Sequence, residues 1–217
     1  MSDRWGRLAP LAGIVFVVLA VVGIAGSGES PEGNASAIRV VAYYARHSSN
    51  VKAFDIIFVL AFLAFVLFAG ALRSYLRRSS GAEGPAAVAL GGAILFAAAA
   101  MIGSAAEFGI AENIAHLQPS AAQALNLLSD EILIPALGGV FLFALCSGIA
   151  ILRGARLPGW LGWVAIVIGV AALIPPASMP ALFALVIWTA IASVLMYLGG
   201  GSSPAGGSAE AALASGS

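Results

Sequence analysis

Three side chains suited to acid–base or ligand chemistry sit close together in the stretch SAAEFGIAENIAH: Glu107, Glu112 and His116, directly after the uncharged run 85–106. Glu112 and His116 are four residues apart, so a helix continuing outward carries both on one face. Asp55 opens another uncharged run three residues after Lys52, which makes a local ion pair at a helix start one reading and a partly buried carboxylate the other. His47 and His116 are the two histidines of the chain. Imidazole and carboxylate oxygen suit zinc or iron, so His47, His116 and Glu112, with Glu107 or Asp55, form the candidate metal set. No HExxH or ExxH pattern and no third histidine accompanies them. No cofactor is therefore expected, and a zinc- or iron-dependent, outward-facing membrane hydrolase is the alternative reading.

These residues take their meaning from the elements that carry them. Hydrophobic residues make up 61% of the 217 residues and charged ones only 9%, far below the ~25% charged content of soluble domains. The apolar residues come in long unbroken runs, which predicts an all-α polytopic membrane bundle. Six spans are expected, at about residues 8–26, 53–73, 85–107, 131–152, 157–174 and 181–198, followed by a disordered cytoplasmic tail, 199–217. Pro175, Pro176 and Pro180 separate the last two. Zero net charge without a basic, aromatic-interleaved patch gives no support for nucleic-acid binding. The single cysteine, Cys146, lies in an apolar run and reads as a buried thiol.

Alternation of six spans puts Arg4, Arg7, Arg73, Arg77, Arg78, Arg153 and Arg156 on one side, which the arginine bias assigns to the cytoplasm along with both termini. The opposite side holds Glu29, Glu32, Asp55, Glu107, Glu112, Asp130 and Glu131 against Arg39, Arg46 and Lys52. A competing reading of the first run is a cleaved signal peptide, with small residues at Gly23 and Ala25. On the outer side, the segment around Ile38, Val41, Ala42 and Ala45 reads as an interfacial helix. PSAAQALNLLSDE reads as a second, with Ala121, Leu125 and Leu128 toward one face. Ser129 is a candidate cap for the fourth span, whose helix dipole favours Asp130 and Glu131.

The predicted span interiors contain no ionisable residue at mid-depth, which weakens an ion-pump reading while leaving a homo-oligomeric pore open. Phe54, Phe58, Phe62, Phe65 and Phe68 form a helical stripe that can pack, face lipid or receive an apolar ligand. Gly91, Gly92, Gly103, Gly138, Gly139, Gly162 and Gly169 allow close helix approach and predict the third, fourth and fifth spans at the bundle centre. The segment 117–173, most specifically LRGARLPGWLGW from Leu152 to Trp163, resembles small six-span integral membrane proteins of actinobacterial type whose domain has no known function. That resemblance implies a multi-pass protein of a bacterial cytoplasmic membrane and carries over no site residues.

The expectation is thus a non-enzymatic membrane protein that binds, senses or helps move an apolar or amphipathic molecule, or serves as an accessory subunit, in contact with membrane lipid. Its outer vestibule is expected to have Asp55 and Glu107 as floor and Glu112 and His116 as wall, with Lys52, Arg46 or a bound cation offsetting carboxylate repulsion.

Overall fold

A computed structural model describes residues 10–28, 30–77, 81–154 and 157–199. Arg4, Arg7, Arg78, Arg156 and Glu29 of the charge map, and the tail 200–217, lie outside them. Every described element is helical: α1 (Leu11–Ser27), α2 (Ala37–Leu76), α3 (Glu83–Asn113), α4 (Pro119–Glu131), α5 (Leu133–Leu152), α6 (Gly159–Ala172) and α7 (Pro175–Gly199). Four stretches are long and apolar enough to cross a membrane, namely α2, α3, α4 with α5, and α7. The other two ring helices, α1 and α6, are apolar but shorter, at 17 and 14 residues.

Six helices form a closed ring in the order α1, α2, α3, α5, α6 and α7, each packed on the next and α7 returning to α1. Gly13 lies against Phe68, Gly23 against Phe58 and Gly26 against Phe54, so α1 runs antiparallel to α2. These contacts also give the small residues near Gly23 a packing role: they seat phenyl rings. Arg153 Nη1 donates to the Gly81 carbonyl at 3.2 Å, and the Tyr75 hydroxyl lies beside Gly199. The end of α2, the start of α3, the end of α5 and the end of α7 therefore share one end of the ring. Gly81 (φ 83°) and Gly154 (φ 105°) sit there in left-handed conformations that only glycine adopts cheaply.

Val18, Leu67, Ile94, Ile134, Val167 and Ile187, one from each ring helix, are exposed on the outside. In water such a girdle would be a large apolar patch, whereas hydrocarbon solvates it at no cost. The interior is filled by alanine, glycine and a central aromatic plug. Phe65 meets Phe16 at 4.9 Å, Phe143 at 5.0 Å and Phe96 at 5.5 Å between ring centroids, and Phe143 meets Trp188 at 5.9 Å. Trp188 is buried and its Nε1 donates to the Leu161 carbonyl at 2.9 Å, which satisfies the indole donor. The centre thus belongs to side chains from α1, α2, α3, α5 and α7 and not, as glycine content predicts, to three central helices. The glycines act instead at the seams, where Gly92 meets Gly139 and Gly148 meets Gly162 through their backbones.

Several local expectations change. The predicted interfacial helix and the second span are one continuous helix of 40 residues, α2. At ~1.5 Å per residue it is about 60 Å long, twice a hydrocarbon core, so its first half projects beyond the bundle. Helix α7 begins at Pro175, not Ala181, and contains Pro180. Pro175 and Pro176 fit its first turn because backbone donors there have no intrahelical partner. Ser129 does not cap a helix, since its hydroxyl donates back to the Asn126 carbonyl at 2.8 Å and α4 leads into α5 through Ile132. The buried residues of α4 are Ala122 and Asn126, while Leu128 is exposed. Polar bonding together with packing of Ala122 and Leu125, without Leu128, orients that helix.

Candidate functional site

At the end of the ring remote from Arg153 lies a cavity of about 400 Å³. On α2 it is lined by Val51, Asp55, Phe58 and Phe62, at intervals of four, three and four residues that keep one helical face inward. On α3 the same spacing presents Phe96, Ala100, Gly103 and Glu107. Helices α1, α5 and α7 complete the wall with apolar residues including Ala20, Ala136 and Leu185. The polar pole consists of Asp55, Glu107, Ser104 and Ser129, with Ser27 and Ser30 at the rim; everything else facing the space is apolar or glycine.

Asp55 and Glu107 reach a common level for a geometric reason. Phe65 and Phe96 touch in the plug at 5.5 Å. From there Asp55 lies ten residues back along α2 and Glu107 eleven residues forward along the antiparallel α3, rises of about 15 and 16 Å. Both carboxyl groups consequently face the same cavity. Asp55 is only 6% exposed, and its Oδ2 has no hydrogen-bond partner. Glu107 is half-buried, with the Ser129 hydroxyl beside it. No Lys, Arg or His occurs among the described lining residues.

The other predicted site residues lie elsewhere. Lys52, expected beside Asp55, pairs with Glu112 at 2.7 Å, tying α2 to the end of α3. Both side chains are substantially exposed, so the pair contributes no more than ~1 kcal/mol. Neither Lys52, Glu112 nor His116 lines the cavity. His116 is exposed in the turn after α3. His47 stacks on Tyr43 at 4.6 Å between centroids, with Nδ1 2.9 Å from the Tyr43 carbonyl oxygen. It borders a separate polar hollow with Arg39, Arg46 and Glu32. Among the described residues no three His, Cys, Asp or Glu side chains come together as a metal-binding group; His47, His116 and Glu112 each have different surroundings.

Residues outside the predicted set hold the roof over this end. Asn126 is buried on α4; its Nδ2 donates to the Glu32 carbonyl at 3.1 Å and the Pro31 carbonyl at 3.4 Å, and its Oδ1 accepts from the Tyr44 hydroxyl at 3.5 Å. Gln123 Nε2 donates to the Ala35 carbonyl at 3.0 Å, and Asp130 Oδ2 accepts from the Gly33 amide at 3.2 Å. Together with a small core of Val40, Tyr44, Ile110 and Ala122, these bonds fasten the segment 30–36 to α4. The legible signal was polar spacing: Gln123, Asn126 and Asp130 recur at helical intervals on α4.

Comparison of the chain with protein-family models, curated proteins and solved structures gives no match. The resemblance carried by Leu152 to Trp163 accordingly rests on those residues alone.

Proposed function

We propose that the chain is a six-span integral membrane protein of a bacterial cytoplasmic membrane that binds an apolar or amphipathic molecule in the cavity between its ring helices. The role is non-enzymatic: binding, sensing or assisting the movement of that molecule, alone or as an accessory subunit. The observation that carries this reading is the roughly 400 Å³ space lined by apolar side chains with one small polar pole, the usual composition of a small-molecule site. The six-crossing reading is supported by the placement of α1 and α6, each of which stands between longer apolar neighbours in the ring. Arg73, Arg77 and Arg153 at one end of the ring support a cytoplasmic assignment of that end under the positive-inside bias, with the cavity then facing outward.

Two experiments test this. Single cysteines at Ser36 and Ser120 are expected to react with an impermeant thiol reagent in intact cells, and one at Glu83 to stay unlabelled; the reverse pattern overturns the orientation. Native mass spectrometry of protein purified in mild detergent is expected to show one apolar or amphipathic molecule per chain, lost on Ala100→Phe, which puts a ring into the cavity. A wild-type chain with no bound molecule, or occupancy unchanged in Ala100→Phe, removes the binding reading. Stoichiometric zinc or iron would favour the hydrolase alternative.

A further inference from the structure

We propose that the polar pole receives the cationic head of an amphipathic ammonium compound, with Asp55 and Glu107 as its counter-charges and the apolar wall around its tail. The inference rests on the cavity being a binding site, as above, and specifies the chemistry of the occupant.

Asp55 supplies the first argument. It is 6% exposed, faces the cavity, and has a carboxylate oxygen without a partner. A buried carboxylate is retained at a site when something pairs with it, because desolvation without compensation is strongly unfavourable. The cations of this end are placed elsewhere: Lys52 is paired with Glu112, and Arg39 and Arg46 border the other hollow. With no described cation facing it, the Asp55 carboxyl is either neutralised by a proton or compensated by a positive charge from outside the described chain, and the cavity beside it has room for such a charge.

The surroundings choose between a metal ion and an organic cation. A hard divalent ion draws on several charged or carbonyl oxygens, whereas among the described residues no three His, Cys, Asp or Glu side chains come together as a metal-binding group. Phe54, Phe58 and Phe62 line the same space. Aromatic faces attract ammonium groups and accommodate the carbon around them. Access favours an amphiphile over a water-soluble amine. Ile24 on α1 and Met179 and Phe183 on α7 both line the cavity and stand 47%, 52% and 55% exposed. The opening therefore has an apolar sideways rim between α1 and α7, where a tail can stay in lipid while its head reaches Asp55.

The test is calorimetric titration of the full chain in a neutral detergent with octyltrimethylammonium, octanol and octyl sulfate. The ammonium probe is expected to bind about tenfold or more tightly than octanol, with octyl sulfate weakest. Asp55→Asn and Glu107→Gln, made separately, should each weaken the ammonium probe and leave octanol unchanged. Asp55→Asn should also keep or raise the melting temperature of the ligand-free chain, since it replaces a buried carboxyl that has an unpartnered oxygen. Equal binding of octanol and ammonium, or ammonium binding unaffected by both substitutions, overturns the headgroup assignment while the apolar site stands. Calcium or zinc binding that displaces the ammonium probe and needs both carboxylates also overturns it. Failure of all three probes removes the binding site itself.

Discussion

Gly139→Leu is expected to abolish the native ring, seen as loss of the cooperative unfolding transition in mild detergent and a broadened gel-filtration profile. A Cβ at Gly139 would overlap the Phe96 amide nitrogen and lie 2.8 Å from both the Gly92 carbonyl oxygen and the Phe96 Cα. At Gly92 the reciprocal Cβ would overlap the Phe143 amide nitrogen and lie 2.8 Å from the Gly139 carbonyl oxygen. These obstacles are backbone atoms, which cannot rotate aside as a side chain can. Helices α3 and α5 would have to separate, and in lipid their association depends on close packing instead of on water exclusion. The cost is put at more than about 3 kcal/mol, at the upper end of overpacking effects. Gly138→Leu is the matched control. A Cβ at Gly138 meets nothing within 4 Å, so a change of under about 0.5 kcal/mol is expected there. Equal stability of the two variants would refute the seam.

Phe65→Ala carries the second large effect, a loss of about 3 to 5 kcal/mol in reversible unfolding from mixed micelles. Phe65 is fully buried and makes ring contacts with Phe16, Phe68, Phe96 and Phe143, from four different positions around the plug. Its removal leaves a hole that these rings cannot all collapse into, because each is also held by its own helix. Leu67, two residues on, is 61% exposed on the outer girdle. Leu67→Ala exchanges lipid contacts for lipid contacts, so a change below about 1 kcal/mol is expected. A Phe65→Ala chain as stable as Leu67→Ala would show that the plug does not hold the ring together.

The class of molecule was readable from the chain because hydropathy is a property of consecutive residues. Long uncharged runs require helices in lipid, where each backbone donor and acceptor must be satisfied within its own segment. Charges at the ends of those runs mark where the spans stop. Asp55 and Glu107 could likewise be placed at one level, since helical rise and short connections set depth before any packing is known.

Partner choice was decided only by the tertiary structure. Lys52 lies three residues from Asp55 yet pairs with Glu112, which is 60 residues away and belongs to the neighbouring helix. Gly91 and Gly92 are equivalent as letters, but only Gly92 meets a backbone, because successive helical residues point about 100° apart. The outer helices differ from the expected ones for a related reason. No proline or glycine breaks the chain between α2's charged projecting half and its uncharged spanning half, and α4 is fastened by Asn126 and Gln123 bonding to the segment 30–36, far away in sequence. Sequence specifies which residues a helix carries and how deep they lie; which face meets which neighbour is a property of the closed ring, where each helix must satisfy two partners at once.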